Sequence, residues 1–167
     1  MAIAEQNELF NATLATVDGR QRETNHKALQ PILYDLIALG RVLKQLHWNV
    51  VGPSFRSIHL HLDEIYATVD GAVDEVAERI AATGHSPNGR MRDVFDNTEI
   101  EDVPVGFLRD SDVLVLAEHA VRRVVDFVRV RTQEIEQIDT ATADMLHKIA
   151  LDLEKHHWML AAQRIDG

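Results

Sequence analysis

Apolar positions recur with helical spacing through most of this 167-residue chain, and the strict alternation that marks strands is scarce. Four prolines, Pro31, Pro53, Pro87 and Pro104, punctuate the pattern. Proline inside a helix removes a hydrogen bond and clashes with the preceding turn, so long helices are expected between these points. The pattern predicts four of them, over residues 26–50, 54–83, 111–137 and 139–165. Pro31 then falls in the first turn of the first helix, where it is tolerated. Gly52-Pro53 forms a corner into the second helix, with Ser54 as its cap, and Gly84 with Pro87 stops that helix. Asp139 or Thr140 caps the fourth. The connection over residues 84–110 is long and rich in Gly, Asn, Asp and Pro, and its NTEIEDVP stretch is expected to form a short extra helix. Residues 1–25 read as an N-terminal arm. Residues 26–167 read as one all-α four-helix bundle with a single long crossover.

The second helix carries two stripes. At 100° per residue with His59 at zero, Ile58, Leu62, Ile65, Val69, Val76 and Ile80 fall between roughly −120° and −60° and form a core face. His59, Asp63, Asp70, Asp74 and Glu78 fall between roughly 0° and +100°. His59 and Asp63 are four residues apart, as are Asp74 and Glu78, so each pair can reach one ion. His47, near the end of the first helix, can approach the His59–Asp63 pair. Asp63 and Asp74 lie about 16 Å apart along the helix, too far to share an ion within one chain. An antiparallel two-fold pairing resolves this, because facing residues then have constant index sums. His59 with Glu78 and Asp63 with Asp74 give the same sum, which places an axis near residues 68–69. Ala67 and Gly71 beside it permit close helix approach. The spacing thus points to two equivalent metal sites across a dimer. Each would use His47, His59 and Asp63 of one chain and Asp74 and Glu78 of the other. The bland alternative is a solvated polar face.

Composition sharpens the metal chemistry. The chain has no cysteine, nine histidines, and 17 Lys+Arg against 27 Asp+Glu, for a net charge of −10. Disulfide scaffolds, thiolate zinc sites and iron–sulfur clusters are excluded. Imidazole and carboxylate ligands suit Fe(II), Mn(II) or Zn(II). Apolar residues make up 46% of the chain, enough for a substantial core. The acidic balance argues against a globally basic nucleic-acid binder. No signal-peptide pattern and no membrane-length apolar run is evident, so a cytoplasmic location without membrane attachment is expected.

The segment LKQLHWNVVGPSFRSIHLHLDEIYATVDGAVDEVAERI closely resembles the Dps family, the miniferritins. The resemblance rests on the run of His47, Trp48, Asn49, Val50, Gly52, Pro53 and Phe55. It continues through His59 and Asp63 to the D-x-x-A-E-R pattern from Asp74 to Arg79. It extends over residues 25–165 and implies a ferritin-like bundle. It also implies a homododecameric hollow shell built from two-fold dimers, with an inter-subunit ferroxidase centre whose ligand positions match His47, His59, Asp63, Asp74 and Glu78. Trp48 matches the tryptophan beside that centre, to which the family assigns the handling of oxidising equivalents. The implied activity is oxidation of Fe(II), with hydrogen peroxide preferred to dioxygen, and storage of the ferric mineral, which protects against oxidative damage. DNA binding in the family uses a basic terminal tail. Here residues 1–26 hold Glu5, Glu8, Asp18 and Glu23 against Arg20 and Arg22, and AAQRIDG carries no basic extension, which argues against DNA as a partner.

Three rival readings remain. An ordinary ferritin, with its di-iron site inside one bundle, needs Glu-x-x-His on two helices and Glu on the other two. Glu154 and His157 supply one such motif, but residues 27–50 contain no Glu. The second rival is a non-catalytic structural or DNA-compacting shell, and the third a zinc or manganese binder. His156 and His157 are read as surface or interface residues. His26, His61, His85, His119 and His147 are read as surface residues, and Trp158 and Met159 as packing. Arg122, Arg123, Arg129 and Arg131 are read as a solvated or interface face, and Asp139 and Asp144 as candidates for a pore.

Overall fold

The computed structural model describes residues 3–164. In chain order they form α1 (Ile3–Leu14), α2 (Gly19–Asn49), β1 (Val50–Val51), α3 (Phe55–Ala82), α4 (Met91–Asn97), β2 (Leu108–Arg109), α5 (Asp110–Ile135) and α6 (Thr140–Ala162). The long helices α2, α3, α5 and α6 are the four helices of the expected bundle. Helices α2 and α3 pack as one hairpin, α5 and α6 as another, and α2 lies against α5 to close the bundle. The expected end of the last helix at residue 165 lies outside the described residues.

The core follows the stripe read from the sequence. Ile58, Leu62, Ile65, Val69, Val76 and Ile80 of α3 are all buried. They meet Leu29, Ile32, Leu33, Leu36, Leu39 and Leu43 of α2, and Val121, Val124 and Val128 of α5. No helix among the described residues is long and apolar enough to cross a membrane.

Two features depart from expectation. Helix α2 begins at Gly19, so Pro31 lies in its interior rather than in its first turn. Asp18 accepts from the Gln21 N–H at 2.9 Å, and the Gln21 side chain accepts from the Asp18 N–H at 3.2 Å, a capping box that starts the helix early. Buried Asn25 holds the added turns and buried Ala28 and Leu29 the turn before Pro31, and this packing offsets the proline cost of about 3 kcal/mol. The preceding arm is itself helical, yet α1 buries no residue. The short helix of the crossover is also displaced, to Met91–Asn97. The NTEIEDVP stretch stays non-helical after Asn97 because buried Asp35 accepts from the Thr98 hydroxyl at 2.7 Å and the Glu99 N–H at 2.8 Å. At its end the crossover adds the parallel pair β1–β2, with Val50 opposite Leu108 and Val51 opposite Arg109.

Asp139 caps α6 as expected and does more. Its carboxylate accepts from Asn25 of α2 at 2.6 Å, Arg79 of α3 at 2.8 Å and the Thr142 hydroxyl at 2.7 Å. The residue is buried, which removes it from the pore candidates. Burial pushes its pKa up, but the hydrogen bonds from Thr142, Asn25 and Arg79 outweigh that and hold it at about 2. A carboxyl depressed in the folded state stabilises fully above the unfolded pKa, and the effect is lost as pH falls through the folded value. Asp139→Asn should therefore lose about 2 kcal/mol of urea-unfolding free energy at pH 7, and the deficit should shrink between about pH 4 and pH 2. A deficit that does not change with pH would contradict this role.

Candidate metal centre

The corner between α2 and α3 builds the site. Gly52 has φ +139°, a conformation that L side chains rarely adopt, and a Cβ there would meet the Asp110 carboxyl at 2.5 Å. That approach lets Asp110 accept from the Ser54 N–H at 2.7 Å and ties the start of α5 to the corner. The chain can then turn back at once. His47 in the last turn of α2 and His59 in the second turn of α3 stack with ring centroids 3.7 Å apart and planes 21° apart.

The two histidines clasp each other. His47 Nδ1 lies 2.9 Å from the His59 carbonyl oxygen, and His59 Nδ1 lies 3.0 Å from that of His47. A carbonyl only accepts, so each Nδ1 carries the proton and each Nε2 keeps its lone pair. The His47 carbonyl is one of those left without a helical partner at the end of α2, and His59 satisfies it. Asp63, one turn beyond His59, places Oδ1 3.3 Å from His47 Nδ1. His47, His59 and Asp63 can each offer a ligand atom within 4.8 Å of the others. They are the one such group of three among the described residues.

Lys44 is a member of this site that the sequence reading missed. Its Nζ donates to Asp63 Oδ1 at 2.6 Å. The bond holds the Asp63 carboxyl below the usual carboxylate range, and the neighbouring His47 and His59 act in the same direction. The available signal was the three-residue step from Lys44 to His47, which puts both on one helix face. Phe55 also packs near His59, with centroids 5.0 Å apart.

Asp74 and Glu78 do not join the cluster. Both are exposed on α3, and neither has a hydrogen-bond or ion-pair partner among the described residues. Their neighbour Arg79 is committed to Asp139 and Thr142. Trp48 is 64% exposed beside His47. A Cβ added at Gly71, between the two halves, would meet nothing within 4 Å.

Other expectations resolve around this site. The largest fully buried side chains of the bundle are apolar, and Glu154 is paired with Arg129 while His157 contacts Glu118 at 2.7 Å. An intra-bundle di-iron site is therefore not assembled from the Glu154/His157 motif. Arg122, Arg123, Arg129 and Arg131 are exposed or half-buried, and each pairs with an acidic side chain: Asp126, Glu99, Glu154 and Glu134 respectively. Four surface assignments are corrected. His61 and His156 are buried, and His26 and His85 are half-buried and stacked on each other with centroids 4.1 Å apart. Trp158, expected to pack, is 65% exposed in the single chain because it lies off the face that α6 turns to the core.

Residues 26–165 match the family model of the Ferritin-like domain. Among curated proteins, the DNA protection during starvation protein of Brevibacillus brevis is 35% identical over 72% of this chain and 80% of its own length. DNA protection during starvation protein 2 of Deinococcus radiodurans is 30% identical over 90% of this chain, and the match spans 62% of that longer protein. The fine tangled pili major subunit of Haemophilus ducreyi is 32% identical over 96% of this chain and 87% of its own. Among solved structures, Mycobacterium smegmatis Dps superposes with a TM-score of 0.84 at 30% identity, covering 89% of this chain and 90% of that one. Microbacterium arborescens Dps in its high iron form gives 0.85 at 27% identity, covering 89% and 97%. The chain belongs to the Dps family of the ferritin-like superfamily.

The corner makes a stability prediction. Gly106 also has a positive φ, +109°, but open space around it. Gly106→Ala should cost about 1 kcal/mol from backbone strain alone. Gly52→Ala should cost clearly more in urea unfolding, because its methyl group also displaces Asp110. Equal costs would show that the Asp110 contact does not hold the corner.

Proposed function

We propose that this protein is a ferroxidase that oxidises Fe(II) at metal centres shared between two subunits and stores the ferric product in a hollow dodecameric shell. One observation carries the reading. His47, His59 and Asp63 form a three-ligand group, and the same helix presents Asp74 and Glu78, without partners among the described residues, at the spacing a two-fold mate requires. Gly71 and Ala67 leave room for the two α3 helices to approach at the axis.

Iron is the substrate of this reaction. Imidazole nitrogen gives affinity for Fe(II), and the carboxylates of Asp63, Asp74 and Glu78 favour the harder Fe(III) that oxidation produces. Two ferrous ions supply one electron each to one hydrogen peroxide molecule, which takes up two protons and leaves as two waters. Pairing the electrons in this way avoids release of hydroxyl radical, and that is the protective role we assign. Dioxygen is the slower oxidant in this reading. Trp48, exposed next to His47, would intercept a stray oxidising equivalent. The net charge of −10 per chain suits a shell that collects cations. The arginines of α5 are matched by acids, which supports protection through iron chemistry rather than through contact with DNA phosphates. A cytoplasmic location follows from the same reading.

Mixed assemblies test the sharing of the site. His59→Ala and Glu78→Ala should each abolish rapid peroxide-dependent Fe(II) oxidation. Shells assembled from equal amounts of the two should regain about a quarter of wild-type activity, since half of the random dimers then hold one intact site of two. No recovery in correctly sized mixed shells would refute a shared centre. Full activity in either single variant would refute the ligand assignment.

Shell formation supplies a second test. Gly71→Leu, exposed in the single chain, should leave helix content unchanged while shifting the protein to monomer in size-exclusion chromatography, with loss of oxidation. An active dodecamer formed by the Gly71→Leu variant would exclude the proposed two-fold axis.

A further inference from the structure

Away from that centre, a second pair of histidines meets. His61 of α3 and His156 of α6 are 7% and 9% exposed. His61 Nε2 faces His156 Nδ1 at 3.4 Å, with the rings tilted by 43°. The outer nitrogens are also engaged. His156 Nε2 lies 2.9 Å from the Thr68 hydroxyl oxygen, and His61 Nδ1 lies 3.1 Å from the Gln163 amide nitrogen. Both rings are enclosed between α3 and α6, and each ring nitrogen of the pair faces a polar neighbour.

The inner separation has a chemical meaning. At 3.4 Å it is a long hydrogen bond between the two rings, and the same separation suits a shared ion. Two imidazole nitrogens bound to one tetrahedral ion, each at about 2.0–2.1 Å, are held about 3.3–3.4 Å apart. We infer that His61 and His156 form a second cation site, separate from the iron centre, for a borderline divalent metal ion of the Zn2+ class.

The surroundings fit that chemistry. His156 and Thr68 line a cavity of about 340 Å³ between α3 and α6, beside Ala67 and Gly71 of the proposed two-fold axis, with room for the water that an ion's remaining positions would take. Glu64 favours positive charge at both imidazoles and Asp152 does so at His156, while Lys155 opposes them. With the inner nitrogens on the metal, His156 Nε2–H donates to Thr68, whose hydroxyl donates onward to the Glu64 carbonyl at 3.2 Å. His61 Nδ1–H then needs an acceptor. Gln163, exposed at the end of α6, provides one by turning its amide, at the expense of its bond to the Met159 carbonyl. Such partners fix the tautomer of a ligating histidine and strengthen it as a ligand. A site dominated by imidazole favours Zn2+, Co2+ or Cu2+ over harder ions. The bound ion would join α3 to α6, which pack on each other far less than α2 does on α3.

Co2+ is the probe, since its tetrahedral complexes absorb visible light. The full-length His59→Ala/Asp63→Ala variant lacks ligands of the iron centre and should still bind one Co2+ per chain with tetrahedral absorption. His156→Gln, which keeps a donor for Thr68, should remove that equivalent, and Co2+ should then no longer raise the thermal midpoint. Wild type should likewise lose one equivalent on His156→Gln, which keeps the test available if the double variant does not assemble. Unchanged Co2+ stoichiometry and absorption after His156→Gln would overturn the proposal. None of these readouts uses iron oxidation, so failure here is separable from failure of the ferroxidase reading.

Discussion

The reciprocal hydrogen bonds between His47 and His59 are the contact on which the candidate metal centre depends. They close the α2–α3 corner, satisfy a carbonyl at the end of α2 and set both imidazoles in the same tautomer. With the protons fixed on Nδ1, the Nε2 lone pairs are free for a metal before any metal arrives. The clasp exists only because Gly52 permits the turn and Asp110 fixes it from the far end of the crossover. A local backbone constraint at one glycine thus decides the chemistry of two histidines.

Under the proposed ligand assignment, the rigidity of α3 leaves the site incomplete within one chain. Two ligand pairs on one straight helix, about 16 Å apart, cannot converge without a second copy of that helix. The same rigidity makes a second copy sufficient, since a two-fold axis midway along α3 would bring both pairs together twice. Preorganisation on helices rather than loops holds such ligands in place. Lys44 adds a charge that keeps Asp63 ionised while it waits. Asp74 and Glu78 have no partner among the described residues, which leaves their carboxylates open to cations.

Legibility varied from residue to residue for physical reasons. The four long helices were readable because Pro53, Gly84, Pro87 and Asp139 mark their ends by local sterics and capping. Pro31 misled, since burial of Asn25, Ala28 and Leu29 outweighs a local penalty that sequence patterns treat as decisive. The short crossover helix was misplaced because Asp35, more than sixty residues away, captures Thr98 and Glu99. His61 sits at roughly −160° on the wheel, at the border of the apolar stripe. Periodicity alone does not say on which side of such a border α6 will pack.

The sequence by itself determined the four long helices, the apolar stripe of α3 and the types and spacing of the candidate ligands. Those properties depend on steps of about 100° and about 1.5 Å along one helix, and these are the same in any context. Only the tertiary structure decided that His47 stacks on His59, that Lys44 holds Asp63 and that His61 meets His156 across two helices. Each of those contacts joins residues from different elements. Their distances depend on how the whole core packs and on a corner whose shape is set by Gly52 and Asp110 together.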